Sequence, residues 1–150
     1  MISMTHSVQV IAVSTSEVKH QKKINIDKGI LKENFGIIGD SHADSSTHRQ
    51  ISLLSIESIE KMRDLGLNVN PGDFGENITT KGIDIPSLPM GTRLFIGDDV
   101  ILEVTQIGKE CLEPCEIGRQ VGTCVMPIEG IFARVIKGGE VKSGDKIKSK

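Results

Sequence analysis

At 150 residues the chain has room for one ordinary domain with its own core, and it needs neither metal nor crosslink merely to fold. A net charge of −2, with four Phe and no Trp or Tyr, leaves no basic footprint and no base-stacking platform, which argues against a nucleic-acid partner. No run of about eighteen apolar residues occurs, so no membrane span is expected.

Residues 1–16, MISMTHSVQVIAVSTS, are broken by His6, Gln9 and several hydroxyls and carry no basic flank. They do not read as a secretory signal, and a cytoplasmic location is expected. From His6 the same stretch is β-branched and apolar enough for a strand. The small basic cluster at 20–23 reads as solvated loop.

GIIGDSHADSSTHRQ then crowds Asp40, His42, His48 and Arg49 onto a loop leading into a strand, RQISLLS. Two readings stand open: a functional loop, or a hydrophilic one whose Asp and Ser satisfy local turns. A helix is predicted over 56–65, with Ser55 as cap, Glu57 in the first turn, Ile56, Ile59, Met62 and Leu65 at helical spacing and Gly66 as the stop. In NPGDFGENITT, Pro71-Gly72 makes a turn, Phe74 anchors it to the core and Asn77 enters a strand. On that segment alone, a buried Asn holding the turn together is the simpler reading. TRLFIG and DVILEVTQIG read as strands joined at Gly97-Asp98-Asp99, and GGEVKSGDKIKSK as a closing hairpin. The whole, residues 1–150, is expected to be one mostly β domain, a barrel or sandwich with a few helices attached.

All three cysteines fall within GKECLEPCEIGRQVGTC, spaced C-x3-C-x8-C. A reducing compartment and an odd count argue against a disulfide. A structural zinc site needs four ligands; Cys111 and Cys115 form one suitable pair, which Cys124 and His42 or His48 could complete, but nothing in the spacing requires it. A reactive thiol needs nearby positive charge or helix N-terminal amides. Lys109, Arg119 and a short helical turn over 115–120 behind Pro114 offer both around Cys115. Cys124, beside Val125 and Met126, reads as a small packing residue.

Together, GIIGDSH, RQISLLS, PGDFGENITT, GTRLFIGDDVILEVTQIGKECLEPC and CVMPIEGIFARVIKGGEVKSGDKI resemble the MOSC domain, named for the C-terminal region of molybdenum cofactor sulfurases, in its small free-standing bacterial form. The likeness runs from about residue 7 to residue 148 in unbroken order. It implies a compact, mostly β, barrel-like fold with a few peripheral helices.

The resemblance also implies molybdenum cofactor (molybdopterin) as the ligand, with Cys115 on the cysteine that ligates molybdenum in relatives and Asn77 on a cofactor-binding Asn. An Arg of those relatives falls at Gly75, so that part of their clamp is absent. A ligand with a phosphate, pterin edges and a soft dithiolene calls for cationic and amide donors and a thiolate. Asp40, His42, His48, Arg49, Asn77 and Lys109 are the expected binding set, with Cys115 as catalytic thiol, and the loop 42–49, Asn77 and Cys115 are expected to line one pocket. A pyridoxal-phosphate site does not fit in a chain of this length. A separate cysteine desulfurase or other sulfur donor would load Cys115, and a molybdoenzyme would be the acceptor. A non-catalytic module that binds and delivers the cofactor is the alternative, and a structural zinc protein a second one.

Overall fold

The structure, a computed structural model, describes residues 8–18, 22–108 and 129–150. All three cysteines, Lys109 and the helical turn expected over 115–120 lie outside them.

The first four strands are β1 (Gln9–Thr15), β2 (Ile24–Ile26), β3 (Lys28–Lys32) and β4 (Gly36–Ile37). After them come β5 (Ile51–Ser55), helix α1 (Ile56–Asp64) and β6 (Ile78–Lys81). The chain closes with β7 (Arg93–Ile96), β8 (Val100–Ile107), β9 (Ile131–Lys137), β10 (Gly139–Lys142) and β11 (Ile147–Ser149). Eight strands form one sheet in the order β11-β7-β8-β9-β5-β6-β1-β2, and β10-β3-β4 form a second, three-stranded one.

The large sheet curls on itself. Val10 N–H donates to the Asp145 carbonyl (2.8 Å) and Ile147 N–H to that of Val8 (2.9 Å), so the start of β1 touches the approach to β11 beyond the far side of the sheet. Alternation along the strands explains why: Val10, Leu53, Ile78, Leu94, Ile96 and Leu102 all point to one buried cluster inside the curl. The small sheet adds Leu31, Ile37 and Val141 to the same cluster.

Among the described residues β5 and β6 are the one parallel pair, joined by α1 as a crossover. A strand covered on both faces should read as nearly continuous apolar, and ISLLS does: Ile51 and Leu53 face the barrel, Leu54 the helix. The helix forms as its sequence predicts, with the Ser55 hydroxyl accepting from Ser58 N–H (3.1 Å) and Ile59 and Met62 buried. Phe74 joins this outer cluster, the anchoring role expected of it.

Two expectations are corrected. GGEVKSGDKIKSK is not a hairpin: β10 pairs with β3 and β11 with β7, because Val141 and Ile147 fill the core from different sheets. Lys23 is not solvated either. Its side chain is 1% exposed and its ammonium lies 2.8 Å from Asp40 Oδ1, a burial that only pairing makes tolerable.

Candidate functional site

Asp40 opens the loop 40–49 as a fixed point. Beyond Lys23, its Oδ1 accepts from Ser16 N–H (3.0 Å) and its Oδ2 from His42 N–H (2.9 Å). Burial raises its pKa, but the Lys23 hydrogen bond, the two amides and the Lys23 charge outweigh that and hold the carboxyl below its usual range. The carboxylate thus ties the loop to the end of β1. Local turns follow, with Asp44 Oδ1 accepting from Ser46 N–H and hydroxyl, and Thr47 Oγ1 from Arg49 N–H.

The loop delivers its other polar residues to the ends of β8 and β9. His48 Nδ1 lies 2.9 Å from Thr105 Oγ1, and Arg49 Nε donates to Gln106 Oε1 at 2.9 Å. The Arg49 guanidinium stands 5.4 Å over the Phe132 ring, whose other contact is an edge-to-face His42 at 6.2 Å. An Arg over an aromatic face keeps its donors outward while its plane is held. At the same place Gly108 N–H donates to the Gly130 carbonyl (2.6 Å), so both flanks of the cysteine-bearing segment meet beside this loop.

Asn77 lies at the head of β6 and is fully buried. Its Oδ1 accepts from Ser52 N–H (2.9 Å) and its Nδ2 donates to the Ser14 carbonyl (3.2 Å), so its amide is spent on joining β5, β6 and β1. Ser52 is also the cross-strand partner of Phe132, which places Asn77 one strand beyond the aromatic ring. Asn77→Ala is expected to cost about 2–4 kcal/mol, read by urea unfolding, because it removes bonds to two buried backbone groups. An unchanged midpoint would show that those groups find other partners.

The sequence pattern singled out neither Phe132 nor Glu76, and it placed Lys23 in solvent. Phe132 is one of four Phe in the chain and the second residue of the strand that follows the cysteine segment, which could have marked it. Glu76 is fully buried. Its Oε2 accepts from Gly72 N–H (2.9 Å) and the Thr79 hydroxyl (2.8 Å), while Oε1 has no partner among the described residues. Burial pushes its pKa up to about 7, against the pull of those hydrogen bonds. Gly72 is required here: at φ +95° an added Cβ would meet the Lys23 carbonyl at 2.5 Å.

Of the expected set, the structure therefore brings His42 and Arg49 onto the Phe132 ring and His48 onto Thr105, and commits Asp40 and Asn77 to internal bonds. Lys109 and Cys115 lie outside the described residues. Among the described residues, no group of three or more His, Cys, Asp or Glu could hold a metal ion, and no helix is long and apolar enough to cross a membrane.

The sequence model of the MOSC domain matches residues 7–148. In fold, the chain is similar to the YuaD protein from Bacillus subtilis at 22% identity, with a TM-score of 0.80 and 96% of each chain covered. It is similar also to YiiM from Escherichia coli, at 19% identity and a TM-score of 0.64 over 95% of this chain and 69% of that one. YiiM from Geobacillus stearothermophilus gives 15% identity and a TM-score of 0.68 over 95% and 75%. No curated protein matches the chain.

Proposed function

Because the chain belongs to the MOSC domain family, we propose that it acts on the molybdenum cofactor, accepting a sulfur on Cys115 from a separate donor protein and passing it on. The family is linked to molybdenum cofactor sulfurase-type proteins. One observation supports the reading above the others: Gly108 and Gly130, which bracket the cysteine segment, are bonded together where His48 and Arg49 dock on β8.

The donor set fits the group. A phosphate and pterin edges ask for cations and hydrogen-bond donors at a surface a ligand can reach, and His48 and Arg49 are exposed there, with Arg49 held flat by Phe132. In this reading those two hold the cofactor, joined by His42 and Lys109, while Asp40 and Asn77 brace the walls. When bound, the cofactor would supply a molybdenum centre able to take a sulfur ligand.

The protein's own step is thiol–persulfide exchange. The Cys115 thiolate attacks the outer sulfur of a donor persulfide; a new S–S bond forms as the donor's breaks, the electron pair leaves on the donor thiolate, and nothing is oxidised overall. Lys109 and Arg119, near Cys115 in the sequence, supply positive charge that favours the thiolate. A cysteine desulfurase is the expected donor and a molybdoenzyme the expected acceptor.

The test is intact-mass analysis after incubation with L-cysteine and a cysteine desulfurase. Wild type, Cys111→Ser and Cys124→Ser are expected to gain one sulfur atom and Cys115→Ser none, with its melting temperature unchanged. Arg49→Ala should still load sulfur but lose pterin fluorescence when co-expressed with cofactor biosynthesis. Loading of Cys115→Ser at the wild-type level would overturn the carrier role. Bound pterin without any persulfide would move the protein to the delivery reading.

A further inference from the structure

The face of the barrel farthest along β8 from this site carries a cross-strand row of its own. Lys148 of β11 is opposite Phe95 of β7, Phe95 is opposite Ile101 of β8, and Ile101 is opposite Lys137 of β9. Their neighbours Leu94, Ile96, Val100 and Leu102 are buried in the core, so the row faces outward. Phe95 and Ile101 are half-buried and both lysines are exposed. The row floors an open groove of about 460 Å³, which Lys146 and Lys150 also border.

None of these four lysines has an ion-pair or hydrogen-bond partner through its ammonium among the described residues, whereas Lys23, Lys61 and Lys142 are each paired. On a chain of net charge −2, that concentration of unpaired cations around two apolar side chains is a local inversion of sign. Among the described residues, the side-chain carboxylates that line the groove, Asp98 and Asp99, are confined to the β7–β8 turn at one end.

We propose that this face docks an extended acidic segment of a partner protein, lying across the strands. The spacing gives the pattern. Lys148 and Lys137 are three inter-strand steps apart, about 14 Å, with the apolar pair between them. In an extended peptide alternate side chains share a face and recur about every 6.8 Å, so residues one, three and five cover the same span. The segment that fits is acidic–x–apolar–x–acidic, its carboxylates on Lys148 and Lys137 and its apolar residue on Phe95 and Ile101. Charge complementarity of this kind sets partner choice and on-rate. A nucleic acid fits worse, because its continuous phosphates run past Asp98 and Asp99. This docking is independent of the sulfur-transfer reading.

A dye-labelled peptide containing Glu-Ser-Phe-Ser-Glu, followed by fluorescence anisotropy at low salt with the full chain, tests it. Saturable binding is expected, weakened about tenfold in the Lys137→Glu, Lys148→Glu double variant and partly in the matching Gln variant, since rim charges contribute modestly one by one. The peptide Lys-Ser-Phe-Ser-Lys should not bind. All four changes are at exposed positions, and unchanged melting temperatures confirm that the fold survives. The proposal is overturned by absent saturation, by equal binding to the charge-reversed variant, by equal binding of a peptide with the acids three apart, or by tighter binding of a labelled single-stranded oligonucleotide.

Discussion

Lys23→Met is expected to destabilise the protein by about 3–5 kcal/mol at neutral pH, a loss large for a domain of this size. Methionine restores the length and apolar stem of lysine but leaves Asp40, whose side chain is fully buried, with two backbone amides and the His42 ring, its Nδ1 3.8 Å from Oδ2, as remaining partners. The cost is that of an uncompensated buried charge rather than the net worth of the ion pair. Two controls follow. Adding Asp40→Asn should recover much of the loss, since the amide oxygen still accepts from Ser16 or His42 while no charge remains. Lowering the pH should narrow the gap between variant and wild type. In the wild type, the depressed Asp40 pKa gives stability that is present above the ordinary value of 3.8 and lost as the pH falls through the lower folded value. In the variant the carboxyl protonates sooner and its penalty disappears. Urea unfolding at pH 7 and pH 5 measures both; a cost under about 1 kcal/mol, the range of an exposed pair, would show that water reaches Asp40.

Glu76 gives the second large effect, with the opposite sign. Its folded pKa of about 7 lies above the ordinary 4.5, so the folded state holds a proton that the unfolded state has released. That stability is fully present below pH 4.5 and is lost as the pH rises through about 7. The displacement corresponds to about 3 kcal/mol, or roughly 6–12 °C in melting temperature for a chain of this length. Wild type should therefore melt higher at pH 5 than at pH 8. Glu76→Gln should flatten that slope: the amide oxygen replaces Oε2 toward Gly72 and Thr79, and no group remains to titrate. A variant whose slope matches wild type would place the titration elsewhere.

Legibility in the sequence followed the range of the interactions. Helix α1 was readable because its cap, its spacing and its stop are all local, and the β7–β8 pair because its turn is. Strand partners are not local. The turn between β10 and β11 looks like a hairpin turn and is closed like one by the Lys142–Asp145 pair, yet the strands part to different sheets. β3 escaped notice because its buried residues, Gly29 and Leu31, alternate with exposed Lys28, Ile30 and Lys32, so the apolar Ile30 sits on the wrong face for a simple pattern. Lys23 and Asp40 are seventeen residues apart, and neither alone signals burial. At the site, His42, His48 and Arg49 stood out as a dense run of functional side chains. Asn77 proved buried, as its own segment suggested, but its amide joins strands β5 and β1 rather than the turn.

The bond between Gly108 and Gly130 bears on how such a domain diversifies. It closes the base of the twenty-residue interval 109–128 on adjacent antiparallel strands, whose ladder is complete without that interval. Loop-closure entropy grows slowly, by about 0.6 kcal/mol for each doubling of length. Because the pairing of β8 with β9 is set by residues on either side of that interval, substitutions within 109–128 are expected to leave the register of the two strands in place.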